Sequence, residues 1–309
     1  MAILSSTKDF VEKTISPWIF MSWSLGHLPG TIVRLIRNGQ FGTLLSPSEL
    51  SFANFGNFWG SVGPLVKNDF KPNVIPLLEG RVRGGAIHDE VVSEPVSGVV
   101  LEVGAGSGMW TDVFASIAGL NPQDDGKNGE GYNLRRRTAG GGAVAPPAIT
   151  KIYGVEPNPT SAKSLRKRVT EFGLEGTYEV VPVGIEQVND PDAWSGSIEE
   201  GSVDCIVCIC CLCSIPEPEK NVRLLYNLLK PGGRWYVHEH VRTESNFFMR
   251  WYQWYLDFFW QPAMGGCCLC RPTKETILSA GSFSKVDICQ PPDESTWSHA
   301  PHAFGTLTK

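Results

Sequence analysis

A regular alternation of strand and helix patterns, beginning at residue 98, constrains the fold of this chain more than any other feature. Short apolar runs end in turns, and helical patterns such as Leu165, Val169 and Phe172 separate them. This alternation predicts an α/β fold, with a parallel sheet and helices on both faces. The segments with a predicted strand are GVVLEVGAGSGMW (98–110), KIYGVEPNP (151–159), TYEVVPVGIEQV (177–188), SVDCIVCICCLCS (202–214) and KPGGRWYVHEHV (230–241).

The fourth of these segments carries five of the nine cysteines. It is apolar from Cys205 to Cys213 and has the length of one central strand, in which cysteine serves as a small hydrophobe. Strand alternation sorts the thiols onto two faces, Cys205, Cys211 and Cys213 on one and Cys208 and Cys210 on the other. Four thiolates of this strand then do not converge, and no metal site is predicted here or at GGCCLC (265–270). A reactive thiol near Ser214 is the alternative.

Composition excludes some functions. The net charge of -5 and pI near 5.7 give no basic footprint, so a nucleic-acid partner is not expected. Many cysteines without a secretory signal predict a reducing, cytoplasmic location. Charged residues make up only 19% of the chain and aromatic residues 10%, which favours an apolar substrate, a partner or a membrane surface.

The first 95 residues differ from the rest because aromatic residues are interrupted by Gly and Pro. We predict short helices that form a lid over 1–95, followed by a catalytic domain over 96–309. Residues 121–149, rich in Gly and Pro, are predicted to be an inserted surface loop. The uncharged run 14–33 has three interpretations: a helix–turn–helix element over a pocket, an interfacial anchor at an intracellular membrane, or a spanning helix.

Candidate binding residues follow the predicted strands, because open parallel sheets bind ligands at the carboxyl ends of their strands. Glu102, Gly104, Gly106 and Gly108 form an E-x-G-x-G-x-G turn, in which glycine lets a ligand approach the backbone. Glu156 ends the next strand, where a carboxylate can accept two hydrogen bonds from a ribose diol.

Two further segments complete this set. Gly184, Ile185 and Glu186 follow the third strand, where they can bracket an adenine. Leu212 and Cys213 follow the fourth, beside the reactive end of the ligand. The four pieces in this order predict a domain that binds a nucleoside cofactor.

The motifs VVLEVGAGSG, YGVEPN, SVDCIVCICCLCS and LLKPGGRWYVHEHV resemble the successive motifs of class I S-adenosylmethionine-dependent methyltransferases over residues 98–309. The chain is most similar to the methyltransferase-like 7 group of thiol methyltransferases, which shares the C-V-C…L-C-S strand, the P-G-G turn, the E-H-V ending and the GGCCLCRPT tail. It departs from that group in the insertion and in a more broken N-terminal apolar segment. The resemblance implies a Rossmann-like, doubly wound and mostly parallel sheet of seven strands.

The resemblance also implies that S-adenosyl-L-methionine is the cofactor and lies across the strand ends. The residues expected to bind it are Glu102, Gly104, Ala105, Gly106, Gly108, Glu156, Pro157, Asn158, Gly184, Ile185, Glu186, Leu212 and Cys213. A thiol acceptor needs only to be ionised, whereas a hydroxyl acceptor needs a general base. His240 and then His238, at the end of the fifth strand, are the candidate bases, and His299 and His302 rank below them.

The expected acceptor is a small, largely apolar molecule with a thiol or hydroxyl group, and we predict that it is a secondary metabolite. An aromatic stripe at helical spacing either walls its pocket or packs on the sheet: Phe247, Trp251, Trp254, Tyr255 and Phe258. Two alternatives share the binding motifs: a cofactor-retaining protein that catalyses a rearrangement or cyclisation, and a non-enzymatic membrane-associated binding protein. The oligomeric state is left open.

Overall fold

The computed structural model describes residues 2–119, 148–244, 246–292 and 294–309. The insertion predicted over 121–149 lies outside the described residues, except for its last two positions. Of these, Ile149 begins a strand rather than a loop.

Four helices and a short hairpin precede the sheet. They are α1 (Ala2–Gly26), α2 (Leu28–Arg37), α3 (Phe41–Leu45), α4 (Pro47–Leu78), β1 (Val82–Arg83) and β2 (Ala86–Ile87). The helical prediction is confirmed, but the predicted short length is wrong for two of the four helices, since α1 has 25 residues and α4 has 32. Pro64, Pro72 and Pro76 lie inside α4, where burial of residues such as Phe58 and Leu78 outweighs the cost of each proline.

The sheet has seven strands in the order β5-β4-β3-β6-β7-β9-β8. Their bounds are β3 (Gly98–Val103), β4 (Ile149–Val155), β5 (Tyr178–Val181), β6 (Val203–Ile209), β7 (Leu229–His240), β8 (Lys285–Cys289) and β9 (His302–Thr308). Strands β3 to β7 are parallel to one another, whereas β9 is antiparallel to both β7 and β8. The doubly wound, mostly parallel sheet is therefore confirmed.

Helices cover both faces of this sheet. They are α5 (Thr111–Ile117), α6 (Pro159–Glu171), α7 (Pro218–Leu228), α8 (Phe247–Ala263) and α9 (Thr273–Ser279). One core joins the sheet to the end of α4 and to α5 and α6, with Phe114 and Leu165 fully buried. The other core joins it to α7 and α9 through Leu225, Trp235 and Ile277.

The cysteine-rich strand alternates as predicted, but only as far as Ile209. Cys205 packs in the first core and Cys208 in the second. The strand ends at Ile209, and Cys210 has a left-handed backbone with φ of +50°. The faces predicted for Cys210, Cys211 and Cys213 are therefore wrong, because alternation requires an extended chain.

A third core joins the N-terminal helices to α8. Residues 14–33 form the end of α1, a break at His27 and the start of α2, which is the predicted helix–turn–helix element. The indole Nε1 of Trp18 on α1 donates a 3.0 Å hydrogen bond to the Tyr252 hydroxyl on α8. None of the described helices combines the length and the apolar character that crossing a membrane requires.

Candidate active site

A cavity of about 910 Å³ opens at the carboxyl ends of β3, β4, β6 and β7. Residues of the glycine turn and of the segments after β4 and β5 line one end. Aromatic side chains from α1, α4 and α8, among them Phe20, Phe55, Trp59 and Trp260, line the opposite wall. The volume is near the upper end of the range for ligand pockets, so it can hold a nucleoside cofactor together with a small acceptor.

The turn after β3 needs glycine for conformation and for space. Gly104 and Gly106 have φ of +64° and +57°, which side chains with a Cβ adopt at a cost. A Cβ on Gly104 would also overlap the Cβ of Cys211. Gly104 and Gly106 both line the cavity, so a ligand can approach the backbone of this turn.

Glu156 stands at the end of β4 with its carboxylate on the cavity. Its Oε2 accepts a 2.8 Å hydrogen bond from the Gly106 amide, and its Oε1 accepts one of 2.8 Å from the Asn158 amide. Burial raises the pKa of Glu156 to about 7, and the two amides oppose that rise. Each oxygen keeps a second lone pair that can accept a ligand hydroxyl.

Asn158 connects this site to the N-terminal helices. Its Oδ1 caps α6 by accepting a 3.0 Å hydrogen bond from the Thr160 amide, and its Nδ2 donates a 3.0 Å bond to the Phe52 carbonyl on α4. The third predicted segment, 184–186, continues the same wall and begins a short 3-10 helix, Ile185–Gln187.

The structure brings most of the predicted residues together. The cavity is lined by Gly104, Ala105, Gly106, Glu156, Pro157, Asn158, Gly184, Ile185, Glu186, Cys213 and His240. Four predicted residues lie outside its lining: Glu102, Gly108, Leu212 and His238.

Those four residues have other surroundings. The buried Glu102 carboxylate accepts a hydrogen bond from the Tyr178 hydroxyl, and burial raises its pKa to about 8. Gly108 lies against α6, where an added Cβ would touch Leu165. Leu212 is fully buried in the second core. Burial holds the pKa of His238 well below its usual value, so its ring is neutral.

The end of the cavity beside β6, β7 and β9, named the acceptor end for the acceptor expected from the sequence, is a cluster of thiols and imidazoles. The rings of His240 and His302 lie 4.8 Å apart, because the two residues pair in the register between β7 and β9. Nδ1 of His240 lies 3.7 Å from the Cys267 thiol, which in turn lies 3.2 Å from the thiol of Cys213. Nucleophile and base chemistry are thus both available there.

His302, which the sequence analysis ranked below His240 and His238, lines the cavity together with Glu294, which the sequence analysis did not single out. Oε1 of Glu294 accepts a 2.5 Å hydrogen bond from Nδ1 of His302, and both residues line the cavity. His302 begins β9, and a local sequence pattern does not show which strand β9 pairs with.

The aromatic stripe on α8 neither walls the cavity nor packs on the sheet, so both predicted roles are wrong. Phe247, Trp251, Trp254, Tyr255 and Phe258 are all exposed, and Phe247 keeps 87% of its surface. From this helix, Trp260 lines the cavity instead. Periodicity identified one face of the helix but not what that face contacts.

These observations fit S-adenosylmethionine. A nucleoside binds at the strand ends of such a sheet. There the structure has a glycine turn with no room for a Cβ at Gly104, a carboxylate with free lone pairs and a cavity of sufficient volume. Glu156, the glycine turn and residues 184–186 would hold the cofactor.

Comparison with known proteins agrees with this site. A family model described as a methyltransferase domain matches residues 86–277. Human thiol S-methyltransferase TMT1A is 31% identical over 165 residues, which are 53% of this chain and 64% of the relative. The match thus spans less than two thirds of that relative. Human thiol S-methyltransferase TMT1B is 28% identical over 202 residues, 64% of this chain and 77% of the relative.

A solved structure of a candidate O-methyltransferase from Nostoc punctiforme PCC 73102 aligns with 96% of this chain and 71% of its own, at a TM-score of 0.50 and 13% identity. At that identity the likeness concerns the fold alone. Because the family model covers more than half of the chain, and the sheet order and the strand-end site agree with it, the chain belongs to the methyltransferase domain family, among the class I S-adenosylmethionine-dependent methyltransferases.

Proposed function

We propose that this protein transfers a methyl group from S-adenosylmethionine to the sulfur of a small, largely apolar thiol. The observation that carries the proposal is the continuity of the cavity, which runs from Glu156 and the glycine turn to the cluster of thiols and imidazoles. The similarity to human thiol S-methyltransferases supports the choice of sulfur. A secondary-metabolite acceptor stays a prediction.

The residues of the chain have separate tasks in this proposal. When bound, the cofactor supplies an electrophilic methyl group. Glu156 and the glycine turn fix its position, while Phe55, Trp59 and Trp260 exclude water and contact an apolar acceptor. His240, half-buried at the end of β7, receives the acceptor proton, after which the sulfur is nucleophilic.

The experiment is a methyl-transfer assay with purified protein, S-adenosylmethionine and a series of alkyl thiols, beside alcohols and phenols of the same size. We expect S-adenosylhomocysteine and a methyl thioether by mass spectrometry, and little product from the hydroxyl compounds. Cofactor binding without S-adenosylhomocysteine from any thiol would contradict the proposal. Faster methylation of phenols than of thiols would show that the acceptor atom is oxygen instead of sulfur. A rearranged acceptor without S-adenosylhomocysteine would support the cyclisation alternative.

We also propose that the protein contacts a membrane surface through an exposed apolar face built from α1 and α8. On α8, Phe258 keeps 78% and Trp254 67% of their surface exposed, and on α1 Ile15 and Trp23 are half-exposed. The two helices are joined by the Trp18–Tyr252 hydrogen bond, and exposed apolar side chains lie on both of them. Exposed Trp and Phe on a helix are typical of interfacial binding.

A further inference from the structure

We propose that a zinc ion binds at the acceptor end of the cavity, held by Sγ of Cys210, the imidazole of His240 and Nε2 of His302. The ligand atoms of these residues all lie within 4.8 Å of one another, and all three residues line the cavity. The chemical purpose given below rests on the proposed function, whereas binding of the ion does not.

The sheet positions the three ligands. Strands β6, β7 and β9 are neighbours, His240 pairs with His302, and Cys210 directly follows β6. One thiolate and two imidazoles form a common zinc ligand set. In tetrahedral zinc sites the ligand atoms are about 3.5 Å apart, given Zn–S and Zn–N bonds of about 2.3 and 2.0 Å. Side-chain movements of about 1 Å therefore close the site.

His302 is already prepared as a ligand. The carboxylate of Glu294 accepts a hydrogen bond from Nδ1 of His302, at 2.5 Å, and another from its backbone amide, at 2.9 Å. This contact places the ring proton on Nδ1 and the lone pair on Nε2. In the part of the chain that the structure describes, Nε2 is buried without a hydrogen-bond partner. A carboxylate behind an imidazole is the usual support of a metal-binding histidine.

The backbone of Cys210 is unusual, which is a second observation in favour of this site. The φ of Cys210, +50°, is one of two positive values among the described non-glycine residues. Such a conformation is strained for a residue with a side chain, and strained residues cluster at functional sites. Here it ends the alternation of β6 and turns the residue onto the cavity, where its amide donates a 2.8 Å hydrogen bond to the carbonyl of His238.

A competing triad shares one ligand. The ligand atoms of Cys213, His240 and Cys267 also lie within 4.8 Å of one another. Both of these thiols are buried, and the thiol of Cys267 donates a 3.2 Å hydrogen bond to the sulfur of Cys213. We favour the triad with His302, because its Nε2 is otherwise left without a partner and its three members are only half-buried.

Three protein ligands leave a fourth position for the acceptor, as in catalytic rather than structural zinc sites. With the ion in place His240 is a ligand instead of a base, so the thiol of the acceptor loses its proton to solvent when its sulfur binds the ion. A sulfur lone pair then forms the new S–CH3 bond, while the pair of the cleaved C–S bond stays on the cofactor sulfur as S-adenosylhomocysteine. The product is a neutral thioether, a weaker ligand, and it leaves.

The test is metal analysis of the full chain after incubation with zinc and gel filtration, and the absorption spectrum of the cobalt-loaded protein. We expect one metal ion per chain and a thiolate-to-cobalt absorption band. Both should be lost in Cys210→Ser and His302→Gln and kept in Cys289→Ser, which alters a half-buried thiol on β8. Circular dichroism and urea unfolding of each variant separate lost metal from lost fold.

Glu294→Gln gives a finer test, because this residue acts only through His302. Zinc affinity should fall by about 10- to 100-fold, the usual effect of losing such support. No metal in the wild-type protein, or metal lost in Cys267→Ser but kept in Cys210→Ser, would overturn the proposal.

Activity separates this proposal from the proposed function. Thiol methylation at an undiminished rate by metal-free protein would overturn the catalytic role of the zinc ion and leave the methyltransferase intact. If the wild-type protein binds one ion that Cys210→Ser loses, but methylates no thiol, the zinc site is supported and the proposal of a thiol acceptor is wrong.

Discussion

The amide of Gly106 donates a 2.8 Å hydrogen bond to the carboxylate of Glu156, which joins the turn after β3 to the end of β4. Two adjacent strand ends thus share one acidic group at the cavity wall. Through this hydrogen bond the carboxylate fixes the conformation of the glycine turn, and its oxygens keep lone pairs for a ligand. Binding and local order therefore depend on the same side chain.

We expect Glu156→Ala to weaken the binding of S-adenosylmethionine at least about 100-fold, because hydrogen bonds to a charged group contribute about 1.5–3 kcal/mol each. Isothermal titration calorimetry measures this change. Glu175→Ala, which removes an exposed acid after α6, is the matched control and should bind like the wild-type protein. Equal affinity of the two variants would show that Glu156 does not contact the cofactor.

Two glycine variants separate the cost of a left-handed backbone from the cost of steric overlap. Gly104 and Gly173 have nearly equal φ, +64° and +65°, but only a Cβ on Gly104 meets another atom, in Cys211. Gly173→Ala should lower the free energy of unfolding by about 1–2 kcal/mol, the cost of the left-handed backbone alone. Gly104→Ala should cost more and also abolish cofactor binding. Urea unfolding and calorimetry of both variants measure the difference.

Much of this arrangement could be predicted from the sequence, because buried parallel strands are continuous apolar runs and their carboxyl ends share one edge. The glycine turn, Glu156 and residues 184–186 follow three such runs and do meet at one cavity. Glu102 shows the limit of this reasoning. It belongs to the same motif, but it is the last-but-one residue of β3, so its side chain points into the core.

The acceptor end could not be predicted in the same way. His302 meets His240 because β9 inserts antiparallel between β7 and β8, a long-range pairing that no local pattern encodes. The strand ends just before Cys210 because the backbone of this residue is left-handed, although the apolar run of the sequence continues through it. The aromatic stripe of α8 has the period of a buried face, but the cores around it are filled by its opposite side.

Glu102 predicts how stability depends on pH. Burial raises its pKa in the folded protein to about 8, above its unfolded value near 4.5, so the folded state retains a proton that the unfolded state releases. The stability gained from the neutral carboxyl is complete below about pH 4.5 and is lost as pH rises through 8, at up to about 1.4 kcal/mol per pH unit.

Glu102→Gln keeps an acceptor for the Tyr178 hydroxyl but does not titrate. Between pH 5 and pH 8, urea unfolding should show the wild-type protein losing a few kcal/mol more than this variant. Glu175→Gln, at an exposed position, should follow the wild-type curve. Parallel curves for Glu102→Gln and the wild-type protein would mean that Glu102 is ionised in the folded state.

The exposed face of α1 and α8 gives the last prediction. Its aromatic side chains would enter the boundary between head groups and acyl chains, and transfer of each ring from water is favourable by about 1–3 kcal/mol. We therefore expect the protein to sediment with phosphatidylcholine vesicles. Since the driving force is apolar, binding should persist in high salt, unlike attraction to anionic lipid.

The double variant Trp254→Ser, Phe258→Ser should reduce vesicle binding at least about tenfold, because it removes two of the most exposed rings of that face. Val286→Ser is the control, since it removes a half-exposed apolar side chain from β8, at the edge of the sheet. Methyl transfer to a water-soluble thiol should be unchanged in both, because none of the three residues lines the cavity. Equal sedimentation of the double variant and the wild-type protein would exclude this face as the contact, and failure of the wild-type protein to sediment would exclude the membrane surface.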